Sequence, residues 1–152
     1  MTAPVAVLGI GNRSRGDDAL GPLLLDRLRV EVGNEGAGSA VECLEAYQLQ
    51  VEDALDLEGR RLALFVDAVR GGPAPVVFRA VAACDTLAAC ASHALGPEAV
   101  LRVHAEVGTG PAPAAFVLAV RGERFGLGEP LSPAACAVFE AAWQLLERLV
   151  RC

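Results

Sequence analysis

The sequence predicts an α/β fold: a three-layer sandwich whose five-stranded, mostly parallel twisted sheet has one antiparallel edge strand and helices on both faces. Three observations predict it. Several runs stay apolar throughout instead of alternating with polar residues, the habit of strands buried on both faces in a parallel sheet. Segments with helical spacing of Leu, Val and Ala fall between those runs, which is the order of a layered α/β domain. The third is a short connection. Only the Gly/Pro-rich stretch from Ala68 to Pro75 separates two of the strands, and a parallel crossover needs about a dozen residues.

Taken in order, residues 4–10 form a buried strand. Leu20, Leu23, Leu24, Leu28 and Val32 then repeat at helical intervals and define a first helix ending near Gly33. Residues 41–44 make a short second strand and 51–56 a short helix. Residues 61–67 (Arg-Leu-Ala-Leu-Phe-Val-Asp) are a third strand that finishes on a carboxylate. The strand at 76–81 follows too soon to be parallel, so it belongs at a sheet edge. A helix over 97–107 and an apolar strand over 114–120 come next. Ser132-Pro133 is an N-cap and first-turn pair. It opens a closing helix with the stripe Ala135, Val138, Phe139, Ala142, Leu146 and Leu149.

A chain of 152 residues fits a single domain, 1–152, with one substantial core. Hydrophobic residues make up 53 % but aromatics only 5 %, so Ala, Leu and Val must fill that core. The net charge of −6 argues against nucleic acid and anionic membrane as partners and is compatible with a basic protein surface or a cation. No apolar run approaches the roughly 20 residues of a membrane span, and no signal-peptide pattern opens the chain, so a cytoplasmic location is expected. The five cysteines are odd in number and contain no C-x-x-C pair, so reduced thiols are expected.

Chemistry concentrates at the carboxyl ends of the strands, where open α/β sheets build their sites. The turn Gly9-x-Gly11-x-x-Ser14 lacks the third glycine of a dinucleotide fingerprint. It is followed by Asp17-Asp18 where a helix begins. Two carboxylates there repel a phosphate and suit a cation or a positively charged stretch of another protein. Asp17 is expected to cap the first helix, which leaves Asp18 as an oxygen ligand. Asp67 closes its strand at the same rim. His93 sits in a loop preceded by about 11 residues, enough to span roughly 35 Å and return it to that rim. One imidazole with two carboxylates can hold a borderline divalent metal with open positions. Cys90 and His93 could form half of a thiolate–imidazole site, though no second pair accompanies them. His104, inside a helix, reads as an ordinary surface or core position, and no G-x-S-x-G elbow is present.

Gly9-Ile10-Gly11-Asn12 followed by Asp17-Asp18-Ala19-Leu20-Gly21 resembles the opening signature of the [NiFe]-hydrogenase maturation endopeptidases. Phe65-Val66-Asp67-Ala68-Val69 and Ser92-His93-Ala94-Leu95-Gly96 resemble that family's second and third motifs, in the same order and at similar spacing. The resemblance implies an endopeptidase that removes the C-terminal extension of the nickel-loaded large-subunit precursor. It also implies catalytic roles for Asp18 and Asp67, and a metal-binding set of Asp18, Asp67 and His93. The metal would be nickel carried by the precursor, with no tightly bound resident metal. An aspartate could serve as general base, or the metal could polarise the carbonyl or activate water. Asn12, Asp17, Tyr47 and Gln48 are candidates for substrate contact, and a monomer that meets its client transiently is expected. Where many members carry Asp-Gly-Gly-Thr, this chain reads Glu42-Cys43-Leu44-Glu45-Ala46-Tyr47-Gln48-Leu49-Gln50. That stretch is closer to the His-Gln-Leu segment of the branch serving soluble NAD-reducing (bidirectional) hydrogenases, with Tyr47 in place of histidine. Arg13, Arg15 and Arg70 are either precursor contacts or solvated charge. A non-catalytic nickel checkpoint and a nucleotide-binding oxidoreductase are the rival readings.

Overall fold

A computed structural model describes residues 2–32, 40–86, 88 and 95–151. The elements in chain order are β1 (Val5–Ile10), a 3-10 turn (Gly16–Ala19), α1 (Leu20–Val32), β2 (Val41–Ala46), a 3-10 segment (Val51–Leu57), β3 (Leu62–Arg70), β4 (Val76–Ala80), α2 (Pro97–Val107), β5 (Ala114–Gly122) and α3 (Pro133–Arg151). The five strands form one sheet in the order β2-β1-β3-β5-β4. The β1–β2, β1–β3 and β3–β5 pairs are parallel, and β4 pairs antiparallel with β5 at the edge, as the short connection required.

Because side chains alternate across a strand, the apolar runs feed two cores, one on each face. Val5, Val7, Leu64, Val66, Leu118 and Val120 meet Leu24, Leu25 and Leu28 of α1 and Ala142, Trp143 and Leu146 of α3. Ala6, Leu8, Ala63, Phe65, Val117 and Ala119 face the other way, onto Ala54 and Leu57 of the 3-10 segment and Val100 and Leu101 of α2. The closing helix buries the face read from its spacing, and Ser132 Oγ caps it by accepting from the Ala135 amide at 3.1 Å.

Elements differ from the sequence reading in extent and in type: β2 runs on to Ala46 and β5 to Gly122. The 51–56 helix is 3-10, with Gln50 and Asp53 forming a reciprocal cap at its start. β3 continues three residues beyond Asp67 because β5 runs alongside it as far as Arg70↔Gly122, whereas β1 stops at Ile10, opposite Asp67. Asp67 thus stands where the sheet loses its β1 neighbour, not at the end of its own strand. Cys84 is disulfide-bonded, against the expectation of reduced thiols. Cys43 and Cys136 are not disulfide-bonded, and Cys90 and Cys152 lie outside the described residues. No helix among the described residues is long and apolar enough to cross a membrane.

Candidate active site

From β1 the chain moves to β2 on one side, then returns to β3 on the other. The carboxyl ends of β1 and β3 therefore flank a switch in strand order, where the connecting loops part and leave a crevice. A cleft of about 490 Å³ opens there, lined by Asn12, Arg15, Asp18, Tyr47, Gln48 and Asp67, with Leu95, Gly96 and Pro97 among its other lining residues. Asp18 comes from the 3-10 turn and Asp67 from β3, and both line this one cavity.

The glycines shape its floor. A side chain on Gly11, whose φ is 147°, would lie 1.9 Å from the Asp18 carbonyl oxygen. One on Gly21 would lie 2.4 Å from the Ile10 carbonyl oxygen and 2.6 Å from that of Val66. The glycines thus let the start of α1 press onto β1 and β3, which brings Asp18 to the rim beside Asp67. The loop does not offer a phosphate cradle, because the amides of Gly11, Asn12, Ser14 and Arg15 all have internal acceptors. Gly11 donates to the Ala46 carbonyl at 3.0 Å and Arg15 to that of Asn12 at 3.1 Å. The Asn12 amide donates to Asp18 Oδ2 at 2.7 Å, and the Ser14 amide to Asn12 Oδ1 at 2.8 Å. This geometry removes the support for a dinucleotide site.

Asp18 and Asp67 are both partly buried. Burial, reinforced by the nearby Asp18 carboxylate, pushes the Asp67 carboxyl up to about 7, with the Ala68 amide opposing the rise. Desolvation and a like charge both disfavour a second anion in the cleft. The outcome is a pair of acids in which Asp67 can take or give a proton near neutrality. A divalent cation between them would relieve the same repulsion.

Asp17 is a correction. Its side chain is fully buried, at 0 % exposure, and it neither caps its own helix nor faces the cleft. Asp17 Oδ2 accepts from the amides of Glu123 (2.7 Å) and Arg124 (3.1 Å) and from Ser132 Oγ (2.6 Å), and Oδ1 accepts from the Ser132 amide (2.7 Å). Burial raises its pKa, but these hydrogen bonds outweigh it and leave the carboxyl below its ordinary value. Asp17 therefore ties the first loop to the start of α3 and makes no substrate contact.

The remaining candidates divide by position. Asn12 is 7 % exposed at the cleft wall, and its amide nitrogen donates to the Tyr47 hydroxyl. Tyr47 and Gln48 are exposed residues at the mouth. His93 and Cys90 lie outside the described residues, so the three-ligand set is not assembled here; among the described residues no group of three His, Cys, Asp or Glu could hold a metal. His104 is a core residue beside the turn that leads into β5. Its Nε2 lies 2.9 Å from Glu58 Oε1, within ion-pair distance but off hydrogen-bond geometry. Of the arginines, Arg13 is committed to Asp26 and Glu45, and Arg70 stacks over the Phe125 ring at 4.3 Å. Arg15 alone of these three lines the cleft. A more apolar hollow of about 540 Å³ lies between α1 and α3, but its charged residues are occupied, Asp26 by Arg13 and Arg27 by Glu140.

No family model matches the sequence, and no curated protein matches it. Solved structures do. The hydrogenase maturating endopeptidase HybD from E. coli superposes with a TM-score of 0.71 at 21 % identity, covering 97 % of this chain and 91 % of HybD. The [NiFe] hydrogenase maturation protease HycI from Thermococcus kodakarensis KOD1 gives 0.67 at 23 % identity over 99 % and 94 % of the two chains. The hydrogenase 2 maturation peptidase from a Thaumarchaeota archaeon gives 0.63 at 21 % identity over 96 % and 97 %. With superpositions that cover more than nine-tenths of each chain, the chain has the fold of the hydrogenase maturation endopeptidases.

Proposed function

We propose that this protein is a [NiFe]-hydrogenase maturation endopeptidase that removes the C-terminal extension of a nickel-loaded large-subunit precursor. The observation that carries the reading is the pair Asp18 and Asp67, set in one cleft at the switch in strand order, with Asp67 held near neutrality. The likeness in fold to HybD and HycI supports the same reading. In it, Asp18 and Asp67, joined by His93, receive the nickel that the precursor presents, and the protein keeps no tightly bound metal of its own. Nickel is then part of the substrate and reports that cofactor insertion is complete.

Hydrolysis needs a group that takes a proton from water and a means of stabilising the charge on the scissile carbonyl. Asp67 suits the first task, because a base is most useful when its pKa lies near the working pH. Client-borne nickel would supply Lewis acidity at the second. Asn12, Tyr47 and Gln48 contact the client chain at the mouth of the cleft. Segment 44–50 selects a soluble NAD-reducing hydrogenase as client, and the protein acts as a cytoplasmic monomer.

Incubation of the purified protein with nickel-loaded and nickel-free precursor tests the gating. A nickel contact contributing about 3 kcal/mol would favour the loaded form by more than a hundredfold. Equal cleavage of the two forms would remove nickel from the mechanism.

A further inference from the structure

Asn12 fixes which way a neighbouring proton points. Its Oδ1 accepts the Ser14 backbone N–H at 2.8 Å, so the oxygen end of the amide is assigned by a donor that cannot reverse. The nitrogen end must then face Tyr47, and Nδ2 donates to the Tyr47 hydroxyl oxygen. A phenol has one O–H proton, and a contact in which its oxygen accepts leaves that proton to be donated elsewhere. No described residue is hydrogen-bonded to it as acceptor. The ring is 69 % exposed and lines the same cleft as Asp18 and Asp67. Asn12 also donates its own backbone N–H to Asp18 Oδ2, so one buried residue sets both the acid and the phenol.

We propose that Tyr47 is a hydrogen-bond donor to the client, its hydroxyl directed by Asn12 onto a main-chain carbonyl of the peptide lying in the cleft. The inference rests on the peptidase reading and adds to it a donor that the two carboxylates cannot provide. Acids that accept hydrogen bonds can hold a cation or activate water, whereas the carbonyl oxygen of a peptide needs a donor. The backbone amides of Gly11 and Asn12 in this wall bond within the protein and offer the client no donor. A donor already aligned by Asn12 loses little conformational freedom when the client binds.

Tyr47→Phe removes the hydroxyl and keeps the ring, and because it also takes the acceptor from Asn12 Nδ2, a retained cooperative unfolding transition is the check that the fold survives. With nickel-loaded precursor as substrate, kcat/KM falls about tenfold, the order expected when one hydrogen bond to the bound peptide is lost. Tyr47→His, which restores a ring N–H, recovers part of the loss. Cleavage by Tyr47→Phe at the wild-type rate would overturn the donor role while leaving the peptidase reading intact. A loss that histidine does not recover would overturn the donor role as well. Failure of the wild-type protein to cleave the precursor would overturn both.

Discussion

Asp17 and Asp67, from the first and second motifs, obey opposite pH rules, and each sign follows from what surrounds the carboxyl. Asp17 accepts four hydrogen bonds, so its folded pKa lies below the unfolded value of about 3.9. Its contribution to stability is complete above that unfolded value and disappears as pH falls through the folded one. Asp67 is desolvated beside Asp18, and its folded value is about 7. Its contribution is complete below about pH 3.9 and is lost as pH rises through about 7, a change on the order of 4 kcal/mol if the denatured state behaves as a free peptide. Asp67→Asn should therefore be inactive yet more stable than wild type, with a margin in metal-free urea titrations that widens between pH 5 and pH 8. Asp17→Ala should cost about 3 kcal/mol or more at pH 7, because it leaves buried donors unpaired; urea titration of that variant measures it. Asp17 shows where residue-level reading stops. The adjacent pair Asp17-Asp18 was visible in the sequence, but the partners that separate their roles are 106 to 115 residues away. His93 lies outside the described residues and keeps the status of a proposal.

At the scale of elements, the strands were legible because each carries an unbroken apolar run, and the antiparallel edge because its connection is too short for a crossover. What could not be read is where pairing stops. The apolar run of β3 reaches a carboxylate at Asp67, yet the strand continues because β5 supplies partners up to Gly122. The 3-10 character of Val51–Leu57 was also hidden, since Val51, Ala54 and Leu57 suit either helix type. The glycine-rich turn gains its meaning here. Gly9 and Gly11 read as a weak nucleotide motif, whereas in the fold they and Gly21 allow α1 to close onto β1. Gly21→Ala tests that account, because its methyl group would press on the carbonyl oxygens of Ile10 and Val66. Backbone atoms of two strands have little room to yield, so a loss of about 3 kcal/mol or more in urea unfolding is expected. A loss below 1 kcal/mol would mean that the helix has room to shift.

Across the whole molecule, function depends on topology: the sheet reverses its strand order between β1 and β3, and that reversal opens a cleft with two acids from distant segments. Neither core contributes to the chemistry; both hold the rim in place. The net charge of −6 suits a cation or a basic protein surface better than a polyanion. The central claim is that Asp18 and Asp67 act together in peptide hydrolysis. Mass spectrometry of a nickel-loaded large-subunit precursor, incubated with the wild-type protein, Asp18→Asn or Asp67→Asn, tests it most directly. The account predicts a shortened precursor with wild type and none with either variant, each of which retains its cooperative unfolding transition. A precursor left intact by the wild-type protein, or trimmed equally by all three, would contradict it.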